Sequence, residues 1–310
     1  MNIPITSIKD AVKSLLQLLH FSTIIPVSLF LVVLNFIVLP KWIPNSELNS
    51  KENLDYEVVV IFLFIFLCYL LYAYNHILIR FIEGYTMRSF LASFEAGFVN
   101  KYNELKIGML SKNEKEKIVA IEKLHFEFPV QEELILPTRL GNIIAAFENY
   151  SFDKYGIDAV LLWPRMIPIL EKENYLNIIA QEKGIFDFLL NLFYIVLVSG
   201  LLSISAYSYS QNVTGSVISL MITIISLPII YYGLISSAIA WGNTIKVSFD
   251  LYRNQLWKQF RLTNDCSPED ELVIWRMLST FIREKSASNF YTELNVMNFA
   301  NFNEYYKERK

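Results

Sequence analysis

The chain has 310 residues, of which 54% are hydrophobic and only 18% charged, with a net charge of −3. Soluble domains carry about 25% charged residues, so a mean hydropathy of +0.35 points to several lipid-facing or deeply buried segments beside a substantial aqueous portion. The slight acidity excludes a globally basic nucleic-acid surface. Two cysteines, Cys68 and Cys266, and three scattered histidines exclude a disulfide framework and a zinc site.

Residues 1–20 are amphipathic. Ile8, Val12, Leu15, Leu16 and Leu19 share one helical face, with Lys9, Lys13, Gln17 and His20 elsewhere, and Ser7 with Asp10 has the capping-box spacing. An interfacial helix on the membrane surface is expected, with a mobile cover over a pore mouth as the alternative. Four segments then satisfy the requirement of ~20 predominantly apolar residues for a membrane-crossing helix: about Phe21 to Leu39, Val58 to Ile79, Ile185 to Tyr207 and Ser216 to Trp241. The first competes with a cleaved signal peptide. Its apolar run is longer than a signal core, and Leu39-Pro40-Lys41-Trp42 reads as a helix end and interfacial anchor.

Basic residues set the orientation. The loop from Pro40 to Glu57 holds two of the 27 Lys and Arg, the loop from Ser208 to Gly215 holds none, and the other 25 fall in the N-terminus, the central segment and the C-terminus. Those three stretches are expected in the cytoplasm, in a bacterial inner membrane. The expected organisation is an amphipathic helix at 1–20, a transmembrane hairpin at 21–82, a cytoplasmic helical segment at 83–184, a second hairpin at 185–241 and cytoplasmic helices at 242–310. The fold class is therefore all-α: four transmembrane helices with a helical cytoplasmic domain built from the central loop and the C-terminal region.

The central segment has helical periodicity and no strand pattern, and the second span is expected to run on into it with Gly84 as a joint. Beyond the fourth span, Phe249, Tyr252, Leu256 and Phe260 form an apolar stripe on a helix reaching about Arg261. Ser267-Pro268-Glu269-Asp270 then opens another helix, with a serine cap, proline at the first position and acids against the helix dipole, reading to about Arg283.

No phosphate-binding glycine loop, paired-histidine metal spacing or nucleophile elbow occurs. An enzyme is not expected, and neither is a cofactor or a metal. The densest polar-aromatic stretch runs from Thr138 to Arg165. On one reading Arg139 and Arg165 pair with Glu148 or Asp158 and tie helices together. On the other, Arg139, Asn142, Tyr155, Trp163 and Arg165, joined by Arg253, form a ligand site, since guanidinium forks suit phosphate and aromatic rings stack bases. In the last two spans Asn191, Ser199, Ser203, Gly233 and Ser237 serve helix packing or line a narrow aqueous path.

The segments Leu136-Pro137-Thr138-Arg139-Leu140-Gly141-Asn142, Tyr155-Gly156-Ile157-Asp158 and Trp163-Pro164-Arg165 resemble a pattern in uncharacterised bacterial multi-span membrane proteins. Phe249-Asp250-Leu251-Tyr252-Arg253 and Ser267-Pro268-Glu269-Asp270-Glu271 are similar to their C-terminal portion, so the likeness covers roughly residues 130–285. It implies a multi-span fold and no particular activity. The layout also resembles membrane effectors of bacterial anti-phage defence, of the Hailong type, although no diagnostic motif carries that likeness. It implies a homo-oligomeric ion channel gated by a nucleotide or short nucleic acid bound to the cytoplasmic part, with the lipid bilayer as its other partner. The alternatives are a non-conducting scaffold or receptor that recruits a cytoplasmic partner, and a membrane enzyme centred on Asp158 and Arg165.

Overall fold

The computed structural model describes residues 21–34, 54–209, 214–260, 262 and 267–284. The amphipathic stretch at 1–20, the Leu39–Trp42 anchor, Cys266 and the chain from residue 285 on lie outside the described residues. Among the described residues every regular element is helical, and there is no strand.

Helix α1 spans Phe21–Val33, α2 Leu54–Ala73 and α3 Asn75–Glu83. A single 3-10 turn, Tyr85–Met87, leads to α4 (Ala92–Gly108) and α5 (Glu114–Glu127). After a second 3-10 turn at Glu132–Leu134 come α6 (Arg139–Glu148), α7 (Tyr150–Tyr155) and α8 (Ala159–Lys172). Two long helices follow, α9 (Leu176–Tyr209) and α10 (Thr214–Gln259), and then α11 (Pro268–Glu284).

Two of these, α9 and α10, are long and apolar enough to cross a membrane, and α2 with α3 makes a third if the bent pair counts as one span. The first expected span, Phe21 to Leu39, corresponds to α1, which has 13 residues, ~20 Å at 1.5 Å per residue; the rest of that segment falls largely outside the described residues. The expected run of the second span through Gly84 is also altered. The chain bends by 55° between α2 and α3, and Gly84, at φ 90°, caps the end of α3 with its N–H on the Phe81 carbonyl. A left-handed glycine at that position terminates a helix.

The chain divides into two compact units, Met1–Met87 with Gln181–Ala238, and Arg88–Ala180 with Ile239–Lys310. In the first, Val27, Cys68, Phe186, Leu190 and Leu234 are buried. Phe21 stacks on Phe188 at 6.1 Å, and Phe193 meets Tyr231 at 6.2 Å. Many large apolar side chains of this unit nevertheless face outward, among them Phe62, Phe66, Ile225, Ile229 and Tyr232. Contiguous exposed apolar surface on that scale marks contact with something other than water.

In the second unit, the stripe expected on α10 is buried as a stripe. Phe249 and Leu256 pack with Leu162, Met166, Ile169 and Leu170 of α8 and with Ile274, Trp275 and Leu278 of α11. Trp257 meets Trp275 edge-on at 5.3 Å. Local chemistry sets the helix starts. The hydroxyl of Thr138 accepts the Gly141 N–H, the carboxylate of Asp158 accepts the Leu161 N–H, and Ser267 and Asp270 hydrogen-bond reciprocally as a capping box. A smaller core forms where Tyr102, Phe128 and Ile135 join α4 to the loop after α5.

Gly156 ends α7 at φ 77°, and a Cβ there would lie 2.3 Å from the Leu272 carbonyl oxygen on α11. No side chain fits. Gly156→Ala is expected to destabilise the protein by about 2–4 kcal/mol, from left-handed strain and displacement of α11. Urea or thermal unfolding followed by tryptophan fluorescence measures this.

Candidate functional site

The most concentrated polar chemistry in the second unit lies where α10 meets α5 and α7. Lys246, Asp250 and Arg253 stand at i, i+4 and i+7 on α10, one face of the helix. Asp250 is the hub. Its carboxylate accepts from the hydroxyls of Tyr150, at 3.0 Å, and Tyr155, at 2.6 Å, and from the Lys154 ammonium at 3.2 Å. Lys154 also donates to the Tyr150 hydroxyl at 2.5 Å. Burial works to raise the Asp250 carboxyl, but the bonds from Tyr155, Tyr150 and Lys154 outweigh it and hold its pKa below the usual value. Burial raises both phenols.

Lys246 is only 6% exposed. Its ammonium donates to the His125 carbonyl at 2.6 Å and lies 5.3 Å from the Tyr150 ring centre and 5.6 Å from that of Phe126. A carbonyl and two π-faces thus take the place of a carboxylate. Burial pushes its pKa down to about 8, against the pull of Asp250. Nearby, His125 is held below its usual value by partial burial and by the charges of Lys246 and Lys154.

Of the six residues expected to bind a ligand, Tyr155 and Arg253 come together. The Arg253 guanidinium lies 4.3 Å from the Tyr155 ring centre, donates to Glu271 at 3.1 Å and returns to the Asp250 carbonyl at 2.8 Å. Glu271 also accepts the indole N–H of Trp275 at 3.2 Å. The other four have different surroundings. Arg139 makes a bidentate pair with Glu127, at 2.9 and 2.7 Å, an acid that the sequence reading did not name. Asn142 is fully buried and clasps its own turn, accepting the Leu136 N–H and donating to the Leu136 and Thr138 carbonyls. Trp163 packs on Phe249 at 6.0 Å. Arg165 donates to the Leu161 carbonyl at 2.7 Å, and Asp158 pairs with Arg283.

In the first unit, Asn191, Ser199, Ser203 and Ser237 are buried. The Asn191 amide donates to the Ser22 carbonyl at 3.0 Å, and Ser203 and Ser219 share a hydrogen bond of 2.7 Å between α9 and α10. Gly200 lies so close to Thr223 that a Cβ would meet its methyl at 2.5 Å. Gly233 leaves ordinary van der Waals room against Leu189, at 3.4 Å. Among the described residues, the Asn191 and Asp187 Oδ1 atoms and the Ser199 hydroxyl are buried without a hydrogen-bond partner.

Tyr150, Lys154, Lys246 and Asp250 are members of the cluster that sequence reasoning did not assign to a site. The available signal was the i, i+4, i+7 spacing with Arg253, immediately beyond the apolar run that ends at Trp241. The cluster has a definite acid–base signature. Between about pH 8 and the ordinary lysine value of 10.5 the unfolded chain holds the Lys246 proton and the folded chain does not, so stability rises with pH. Above about pH 10 the raised Tyr150 and Tyr155 phenols act the other way, because the unfolded phenols ionise first. Melting temperature is expected to climb between pH 7.5 and 9.5. Lys246→Met should flatten that slope and add about 1–3 kcal/mol at pH 7, since it removes a buried charge that lacks a carboxylate partner. Thermal melts of the detergent-solubilised protein across that range read both effects.

No protein-family model, no curated protein and no solved structure matches this chain.

Proposed function

We propose that the chain is an integral membrane protein of four spans that assembles as a homo-oligomer and conducts ions, under the control of a ligand or partner bound to its cytoplasmic unit. The observation that carries the ion path is the file of polar groups on α9. Asp187, Asn191, Ser199 and Ser203 recur at multiples of four residues, and three of them hold a buried atom without a protein partner. Such an atom between apolar helices costs several kcal/mol unless water or an ion meets it. Polar groups inside membrane helices accordingly mark hydrated or ion-conducting paths. The outward apolar side chains of the first unit support the bilayer as its surroundings, and the distribution of basic residues supports cytoplasmic termini.

Control by a ligand is supported by the cluster on α10. An anionic ligand, a nucleotide or short nucleic acid in the reading implied by the resemblance, would meet Arg253 and Lys154. Both cations already hold acids, Glu271 at 3.1 Å and Asp250 at 3.2 Å. Binding would therefore exchange one ion pair for another and release a carboxylate. A ligand that releases Asp250 also loosens Tyr150 and Tyr155 from α10. A role in anti-phage defence rests on the resemblance alone.

The second reading is a non-conducting scaffold or receptor. The Ser203–Ser219 bond and the close approach of Gly200 to Thr223 favour it, because they assign hydroxyls and small residues to helix packing. Ion flux from vesicles reconstituted with the protein separates the two. A channel should release ions well above empty vesicles, Asn191→Leu should cut the flux about tenfold or more, equivalent to at least 1.4 kcal/mol on the barrier, and Arg253→Gln should alter its response to added oligonucleotide. Wild-type vesicles that leak no faster than empty ones, with and without oligonucleotide, would establish the scaffold.

A further inference from the structure

The bend between α2 and α3 lacks the usual causes. Sharp kinks arise at proline, at glycine or serine pairs or at π-bulges, and this junction reads Ala73-Tyr74-Asn75. The Tyr74 carbonyl accepts from both Ile77 and Leu78, so α3 starts a new helix. Helix α2 carries Asp55 and Glu57 in its first turn, and its apolar part, Val58–Ala73, is ~24 Å long, near the lower limit for a span. The 55° bend follows this apolar part directly.

The outer surface of α3 carries two adjacent rows. Ile77 and Phe81 form an apolar row, 46% and 43% exposed. Beside them, His76 and Arg80 form an exposed polar row with a basic end. The Arg80 guanidinium lies 4.6 Å from the Tyr85 ring centre and keeps half of its side chain in the open. The opposite side of α3 is anchored, with Ile82 buried and the Leu78 carbonyl accepting the Tyr194 hydroxyl at 2.8 Å. If α3 continued straight on from α2, it would carry Ile77 and Phe81 past the hydrocarbon core into water. Laid along the interface, the apolar row enters the acyl boundary while the basic row reaches the lipid phosphates. Tyr69 and Tyr74, both exposed near the bend, stand where interfacial aromatic residues belong.

We propose that α3 is an interfacial elbow whose outer face docks on the lipid headgroup layer, Ile77 and Phe81 inserted and Arg80 on the phosphates. Its apolar row continues the lipid-facing surface of α2, and its basic row complements the phosphates. The elbow rests on the membrane reading above. It means that the membrane contact of this segment does not end with the span.

Spin labels on single cysteines in the full chain, reconstituted in vesicles of mixed neutral and anionic lipid, test this by electron paramagnetic resonance with oxygen and a water-soluble nickel relaxant. Cys266→Ser provides the parent, the buried Cys68 being left in place; an unlabelled parent is the control. Phe66→Cys, at an exposed position within α2, should be deep in hydrocarbon. Ile77→Cys should lie within about 5–10 Å of the headgroup boundary, and His76→Cys should be open to nickel. Labels at 76 and 77 as deep as that at 66 would make α2 and α3 one bent span and overturn the elbow. Labels at both positions fully open to nickel would lift α3 off the membrane and overturn it too. An aqueous label at 66 would instead refute the membrane reading itself.

Discussion

Helix α10 runs through 46 residues, Thr214–Gln259, and contributes buried side chains to both compact units. A helix of that length extends ~69 Å, more than twice the ~30 Å of a hydrocarbon core. Its side chains change character at Trp241. Before that point the exposed positions are filled by Ile218, Ile222, Ile225, Ile229 and Tyr232, and beyond it come Lys246, Asp250, Arg253 and Lys258. Its apolar half belongs to the first unit and its polar half, with the Asp250 hub, to the second. Pro228 lies inside it, in the apolar half.

Both units solve the same physical problem with different means. A polar atom removed from water must find a partner or bear the desolvation cost. In the second unit the solution is complete around Asp250, where three donors surround one carboxylate, and around Asn142, whose amide is used on both sides. Lys246 is the most economical case, with a carbonyl and two aromatic faces holding the charge at the expense of a lowered pKa. In the first unit the solution is incomplete at Asn191, Asp187 and Ser199. Three such atoms on one helix, α9, rather than the mere presence of polar residues in apolar helices, make the α9–α10 hairpin a candidate for hydration.

Much of the architecture was legible in the residues. The last helix is announced by Ser267, Pro268 and the acids that follow, because a cap is a local hydrogen bond and needs no distant partner. The stripe Phe249, Tyr252, Leu256, Phe260 was legible because helical periodicity places those side chains on one face whatever covers them. The helical class of the central segment and the long run of α10 follow from the same kind of pattern. The candidate site was legible in part. Tyr155 and Arg253 were picked for their chemistry, while Lys246 stood in the sequence as an unremarkable basic residue just past the apolar run.

What the sequence determined by itself is therefore what short-range physics controls: the helical periodicity, the caps, the apolar runs and the sign of charge on each stretch. Only the tertiary structure decided which charges meet. Arg139 joins Glu127, Asp158 joins Arg283, and Asp250 gathers two tyrosines from nearly a hundred residues away. Many acids lie within an arginine's reach in composition, and only the packing of helices selects one. The bend at Tyr74 belongs to the same category. No proline or glycine announces it, and α3 beyond it is held through the Leu78 carbonyl by Tyr194, a residue of α9 more than a hundred positions further along the chain.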